Sequence, residues 1–260
     1  MLLRRKASSG AASASMTPAK AKVDGAAVDK AFEALKTYDY GTSRAALLPI
    51  DDAVIACLDD ATLRRELEKR LVGVLKVDVS PLAKEFVCRK LSLVGSTRSV
   101  PTLAELLADK NLSHWARSAL EHIPGSKAAK ALRKSLPKLR GLEKIGVINS
   151  LGIRRDADSI SALASLLEDP DTQIAGAAAA ALGNIGTSEA AKVLLKFQPN
   201  APHAIRLIVA DACLSCADRL ASTGKKTVAP AIYKALAGSP QPEHIRIAAR
   251  RGLSMPVGKK

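Results

Sequence analysis

The chain of 260 residues carries a formal net charge of +15 at pH 7 and is 47% hydrophobic, but only 3% of its residues are aromatic. The length is sufficient for one large domain or for an extended array of repeats. Because thick cores are usually filled with aromatic side chains, their shortage argues against a sandwich or a barrel and favours thin layers of closely packed helices. The positive charge favours acidic partners but does not indicate a fold.

The first 27 residues differ in composition from the rest of the chain. They are rich in Ala, Ser and Gly, and five basic residues precede their single acid, Asp24. An acid-poor leader of this kind is typical of disordered tails and of transit peptides, whereas a secretory signal needs an apolar stretch after its charged start. We therefore expect a disordered leader over residues 1–27. Without a complete signal peptide, a cytoplasmic location is favoured over export, which would require a start other than Met1.

The four cysteines show neither a disulfide framework nor a metal site. Cys213 and Cys216 have C-x-x-C spacing, but they lie within a predicted helix over residues 205–220, and no second pair or directly following histidine accompanies them. Zinc needs more ligands than this pair offers, so we expect two small helix residues that face a neighbouring element. The longest uncharged segment is shorter than the roughly 20 apolar residues that cross a bilayer, and no membrane span is predicted.

A leucine seam runs through the middle of the chain. Four leucines, each ahead of a predicted helix stop, follow one another at intervals of 29, 31 and 31 residues: Leu91, Leu120, Leu151 and Leu182. The residues four before and three after each leucine are also apolar, which places all of them on one helix face. Arg154 is the exception, and we expect its turn to be more exposed or shifted in register.

A second leucine series, in a second predicted helix of each unit, repeats at the same intervals: Leu103, Leu132, Leu163 and Leu194. A helix pair of about 30 residues that recurs in tandem is the signature of an α-solenoid. The sequence therefore predicts an all-α protein with capping helices over residues 28–77, regular repeats over 78–200, and an irregular repeat with a terminal helix over 201–260.

Three segments of this array resemble a known repeat family. They are similar to HEAT repeats, in particular to the short bacterial repeats called PBS-lyase HEAT-like, and they are Leu151-Gly with Asp156-x-Asp158, Leu166-Leu-Glu-Asp-Pro-Asp171, and Ala178-x3-Leu182-Gly-x-Ile-Gly186. The resemblance covers about residues 80–200. It implies a right-handed α-solenoid of HEAT-like helix pairs and says little about function.

The densest basic stretch of the chain lies in the second half of one repeat. Lys130, Lys134 and Lys138 are four residues apart and share a helix face. Such positions can stack into a strip that neutralises phosphates, or they can form an ordinary solvated helix face. The candidate polyanion-binding residues are Lys127, Lys130, Arg133, Lys134, Lys138, Arg154 and Arg155.

The single tryptophan, Trp115, follows His114 and is a candidate anchor for a partner. Its position in the repeat is shared with Phe86 and Ala177, which indicates ordinary packing between repeats instead.

No nucleotide-binding, hydrolase or metal-ligand motif occurs in the sequence, so neither catalytic residues nor a cofactor is predicted. We expect a non-enzymatic scaffold whose helical surface binds another protein. Two alternatives stay open. One is nucleic-acid binding through the basic strip, and the other is an accessory subunit or module of an enzyme, such as a lyase or an exported bacterial multidomain protein. The terminal helix, over residues 242–254, has no partner after it and is a candidate for self-association.

Overall fold

The computed structural model describes residues 23–223, 228–238 and 240–254. These residues form fourteen α-helices and no strand. The helices are α1 (Gly25–Lys36), α2 (Leu48–Ala56), α3 (Ala61–Leu75), α4 (Pro81–Val94), α5 (Val100–Glu105), α6 (Ser113–His122), α7 (Ser126–Ser135), α8 (Gly141–Ile153), α9 (Ile160–Leu166), α10 (Thr172–Ile185), α11 (Ser188–Phe197), α12 (Arg206–Ser222), α13 (Val228–Leu236) and α14 (Glu243–Ser254). Of the predicted leader, residues 1–22 lie outside the described residues, and α1 begins before the predicted start of the solenoid at residue 28.

The helices from α4 onward are arranged in two layers. Helices α4, α6, α8, α10 and α12 form the first layer, in which each helix contacts the next. The second layer consists of α5, α7, α9, α11 and α13; α5 contacts α7, and α11 contacts both α9 and α13. This alternation of tandem helix pairs is that of an α-solenoid, which confirms the predicted fold class.

Both leucine series are buried between the layers. The first-layer leucines, Leu91, Leu120, Leu151 and Leu182, are fully inaccessible to solvent. The second-layer leucines are equally buried: Leu103, Leu132, Leu163 and Leu194. Burial of a leucine side chain stabilises a fold by about 1.5–3 kcal/mol, so the two series supply a core that continues from repeat to repeat.

The turn after α8 corrects the expectation for Arg154. Arg155 has a φ of +52°, and Gly186, four residues after the next seam leucine, has a φ of +63°. The same position of two repeats therefore adopts the left-handed conformation, and the register is not shifted. Arg154 itself is half-buried rather than more exposed.

The Arg154 side chain is half-buried because it caps the end of α6. Its guanidinium donates hydrogen bonds to the carbonyl oxygens of Leu120 at 2.6 Å and Ile123 at 2.8 Å, and to that of Gly125 at 2.6 Å. The last carbonyl groups of a helix have no partner within the helix, so a neighbouring repeat supplies the donors here.

The two ends of the array are closed by irregular helices. At the N-terminal end, α3 packs against α4, and it buries Leu67 and Leu71. At the other end, α14 packs on α12 and α13, and it buries Ile245 and Ala249. Within the described part of the chain, no helix is both long and apolar enough to cross a bilayer.

Candidate functional site

One side of the first layer is left open by the packing. Each first-layer helix turns its seam leucine toward the second layer, so residues two positions before and after that leucine point the other way. Eleven residues of α6, α8 and α10, together with Asn111 just before α6, occupy this open side, and all twelve are exposed or partly exposed. They are Asn111, His114, Ser118, His122, Leu142, Ile145, Asn149, Ile153, Gln173, Ala177, Ala180 and Asn184. We call this surface the uncharged face.

The uncharged face contains no Asp, Glu, Lys or Arg. Charged residues make up 25% of the chain, so a surface of this size would carry about three if they were evenly spread. On the same side of the first layer, charged residues occur on the flanking helices, with Arg89 and Glu85 on α4 and Asp211 on α12. The strongly basic protein thus keeps charge off this side of three adjacent helices, although α6 and α8 carry charged residues at other positions.

Helix α8 provides the apolar part of this face. Leu142 is 76% exposed and Ile153 is 60% exposed, and the partly exposed Ile145 lies between them. At a rise of 1.5 Å per residue, the two ends of this row are about 16 Å apart. Ala177 and Ala180 of α10 lie on the same face. Because these side chains are small, the aliphatic side chains of α8 project beyond α10 and are accessible.

Trp115 lies at the N-terminal edge of the face, between α4 and α6. The Arg89 guanidinium is 4.3 Å from the centroid of the Trp115 ring, and the His114 ring meets the indole edge-on at 4.8 Å. Trp115 is partly buried against the core, as expected from its position in the repeat. Arg89 also pairs with Glu85 at 2.8 Å.

The charged groups beneath the uncharged face are used in contacts between α6 and α8. Arg117 donates to the Gly146 carbonyl oxygen at 3.0 Å and to Ser150 Oγ at 3.1 Å, and Ser150 in turn donates to Glu121 Oε1 at 2.5 Å. Burial lowers the pKa of Arg117, and the nearby Glu121 carboxylate offsets part of that shift. A β-carbon at residue 146 would lie 2.5 Å from Arg117 Nε, so glycine is needed for this close contact.

In the structure, the candidate polyanion-binding residues fall into an exposed group and a group that is used in internal contacts. Lys127, Lys130, Lys134 and Lys138 are exposed on α7 and on the short 3-10 turn that follows it, in the second layer. Arg155 is also exposed.

The two remaining arginines of the predicted strip are used in internal contacts. Arg133 pairs with Asp156 and, at 3.0 Å, with Asp158. Arg154 forms the cap of α6 described above. These two side chains are therefore already occupied, and only the lysines and Arg155 present free charge.

The cysteines are buried thiols rather than a reactive pair. Burial raises the pKa of Cys213 to about 12 and that of Cys216 to about 11, and both side chains are inaccessible to solvent. A thiol with such a pKa is protonated and unreactive near pH 7. The described residues contain no group of three or more His, Cys, Asp and Glu side chains that could hold a metal ion.

The fold and the buried seam define a helical-repeat protein. Residues 142–215 match the sequence profile of the family described as HEAT repeats. The predicted resemblance over residues 80–200 is thereby confirmed from residue 142 onward. A comparison with curated protein sequences gives no match.

Solved structures of similar proteins show low sequence identity to this chain. One is the complex of CpcE and CpcF of phycocyanin lyase from Nostoc sp. PCC7120, at 18% identity and a TM-score of 0.42 over 93% of this chain and 98% of that chain. Another is human deoxyhypusine hydroxylase in complex with glycerol, at 16% identity and a TM-score of 0.37 over 87% of this chain and 94% of that chain. An engineered protein matches at 18% identity and a TM-score of 0.41, over 88% and 72% of the two chains. At these values the likeness assigns no activity to this chain.

The uncharged face was not identified from the sequence. Its signal was nevertheless present, because Ser118, Asn149 and Ala180 all stand two residues before a seam leucine and none is charged. A comparison of the residues two positions before each seam leucine, from repeat to repeat, would have identified the uncharged face.

Proposed function

We propose that this protein is a non-enzymatic scaffold that binds another polypeptide through the uncharged face. The HEAT-repeat architecture is consistent with a protein-binding role. The observation that carries the proposal is the absence of charge at twelve neighbouring open positions in a chain of net charge +15.

The physical argument concerns desolvation. The centre of a protein interface is depleted of charged residues, because an ion that leaves water without a matched partner costs several kcal/mol. A partner that docks on α6, α8 and α10 would displace water from Leu142, Ile145 and Ile153 without burying an ion. Apolar contact with these side chains would supply the binding energy.

The edge of the face supports the same role. Tryptophan and arginine are enriched at binding hot spots, and Trp115 with Arg89 above it borders the uncharged face on the side of α4. Because Arg89 already stacks on the ring, its side chain is held in place before a partner arrives, which reduces the entropy lost on binding.

An accessory subunit of an enzyme is one form that such a scaffold can take, and the catalytic subunit would then occupy the uncharged face. Self-association is a second form. On α14, Ile247 and Leu253 are each 44% exposed, and Ile247 lies on the side opposite to the buried Ile245, so a second copy is the competing occupant of the terminal helix.

Site-specific photo-crosslinking in cells tests the proposal. A photoreactive amino acid replaces Asn149 at the centre of the face and, as a matched control, Ile55, which is 68% exposed on α2. We expect a discrete protein adduct at residue 149 that is absent at residue 55. Mass spectrometry identifies the adduct, and an adduct of this chain with itself would indicate a homodimer.

The identified partner is then purified, and its affinity is measured by calorimetry. The Ile153→Glu substitution should weaken binding at least tenfold, because it would bury a carboxylate in the interface. Ile55→Glu should leave the affinity unchanged. Equal affinities for the two variants, or no adduct specific to residue 149, would refute binding at this face.

A further inference from the structure

We propose that the outer side of α7 binds the phosphate backbone of double-stranded nucleic acid. The site consists of Lys127, Lys130, Lys134 and Lys138, which we call the lysine face, together with Arg155. It lies in the second layer, and it is independent of the uncharged face on the first layer.

The lysine face is a straight row of cations. Lys127, Lys130 and Lys134 are spaced by three and four residues, so they fall on one side of α7, opposite to the buried Ala128, Ala129 and Leu132, and Lys138 continues the row on the 3-10 turn that follows. With a rise of about 1.5 Å per residue, the row is about 16 Å long. Duplex DNA presents a phosphate on each strand every 3.4 Å of axis, so a row of this length can contact about four phosphates.

These cations have no internal partner. None of the four lysines forms an ion pair with any residue that the structure describes, although Arg133 on the same helix is paired with Asp156 and Asp158. The four ammonium groups are therefore exposed to solvent, and they are available to an external anion.

The structure also places Arg155 next to one end of the row. Arg154 Nη2 donates to the Gly125 carbonyl oxygen at 2.6 Å, which holds the turn after α8 against the turn before α7. Arg155 follows Arg154, and Lys127 comes two residues after Gly125. A contact between repeats thus joins two basic segments that are distant in sequence.

The exposed side chains of α7 indicate the chemistry of the partner. No exposed aromatic or large aliphatic side chain lies between Lys127 and Lys138, because Leu132 and Leu136 are both buried. A protein interface without an apolar anchor would be weak, and lysine is depleted from such interfaces. Lysine is, in contrast, a common contact for phosphate. Without aromatic side chains that stack on bases, duplex is favoured over single-stranded nucleic acid.

The salt dependence of binding tests the proposal directly. Each phosphate contact contributes about −0.9 to the slope of log K against log salt, so four contacts predict a loss of about 100-fold in affinity between 50 and 200 mM salt. The experiment titrates the full chain into a fluorescent 20-base-pair DNA duplex of mixed sequence, with fluorescence anisotropy as the readout.

Two double variants with the same change in net charge separate a site from general basicity. Lys130→Gln with Lys134→Gln removes the centre of the row, and Lys192→Gln with Lys196→Gln removes two exposed lysines with the same spacing on α11 of the same layer. We expect the α7 variant to lose at least tenfold in affinity at 100 mM salt and to reduce the slope by about 1.8. The α11 variant should change the affinity less than twofold.

Several results would overturn the proposal. They are an absence of duplex binding at 50 mM salt, equal losses for the two double variants, a tenfold preference for single-stranded DNA of the same length, or equal competition by polyglutamate at the same charge concentration. The Ile153→Glu variant of the uncharged face must bind the duplex as the unaltered chain does, so the two proposals can fail separately. Far-ultraviolet circular dichroism checks that the exposed substitutions leave the helices intact.

Discussion

Gly183 approaches Ala212 so closely that a β-carbon at residue 183 would stand 2.6 Å from the Ala212 carbonyl oxygen and 2.9 Å from its Cα. One repeat earlier, Gly152 faces Ala181 in the same way, with a separation of 2.9 Å from the Cα. The position after a seam leucine thus meets the position before the seam residue of the next helix. Small residues at both positions allow α8, α10 and α12 to pack backbone to backbone.

This contact predicts that Gly183→Ala is destabilising although alanine favours helices. A methyl group at residue 183 must push α10 and α12 apart, which costs about 1–3 kcal/mol of unfolding free energy. Gly73 of α3 is the control, since a β-carbon there would meet nothing within 4 Å, and Gly73→Ala should stabilise the protein by about 0.5–1 kcal/mol. Urea unfolding followed by circular dichroism measures both changes. The same sign for both variants would contradict the close packing.

Arg154 predicts a second effect on stability. Its guanidinium satisfies carbonyl oxygens at the end of α6, so Arg154→Gln should lower the unfolding free energy by about 2 kcal/mol or more. Arg154→Lys should fail to restore it, because a single ammonium group cannot reach the carbonyl groups that the planar guanidinium spans. Arg155→Gln, at an exposed position, is the control and should change stability by less than 0.5 kcal/mol. Full rescue by lysine in urea unfolding would show that only the charge matters.

Glu68 makes a third prediction, for the N-terminal cap. This carboxylate is 2% exposed and accepts hydrogen bonds from the Ser96 backbone N–H at 2.7 Å, from Ser96 Oγ at 2.8 Å and from Ser99 Oγ at 2.5 Å. Glu68→Gln removes the negative charge and replaces Oε2, which accepts from Ser96 Oγ at 2.9 Å, with an NH2 group that faces this donor, so a loss of about 2–3 kcal/mol is expected. Glu66→Gln, on the exposed side of the same helix, should be nearly neutral. Thermal unfolding of the two variants provides the comparison.

The buried thiols predict a loss of stability at alkaline pH. Burial raises the pKa of Cys213 to about 12, whereas an unfolded thiol titrates near pH 8.5. The unfolded chain therefore releases this proton first. The contribution of the thiol is complete below about pH 8.5 and is lost as the pH rises toward 12, by about 2 kcal/mol at pH 10. Cys213→Ala removes this titration, so its unfolding free energy should fall less steeply between pH 8 and pH 10 in urea titrations.

The thiols also give a direct measurement of burial. In the native protein at pH 8, a thiol reagent should modify the described cysteines only at the rate of unfolding, because Cys57, Cys88, Cys213 and Cys216 are all free and buried. Rapid modification of Cys213 or Cys216 without denaturant would contradict the packing of α12.

The sequence by itself determined the repeat and its core. Leu120, Leu151 and Leu182 recur at nearly constant spacing with apolar residues three and four positions away, and such a pattern has only one helical arrangement that buries all of them. The fold class and the buried seams followed from this local periodicity. The helix bounds followed less closely, since the predicted helix over 205–220 extends from Arg206 to Ser222.

The tertiary structure alone decided which polar residues are available to a partner. In the sequence, nothing distinguishes Arg133 and Arg154 from Lys130 or Arg155. In the structure, Arg133 and Arg154 bind partners that are more than 20 positions away in the chain. Local periodicity fixes which side of a helix a residue lies on, whereas ion pairs and caps depend on how the turns of successive repeats meet in space. For this reason the seam could be read from spacing, while the free lysines and the uncharged face required the packed structure.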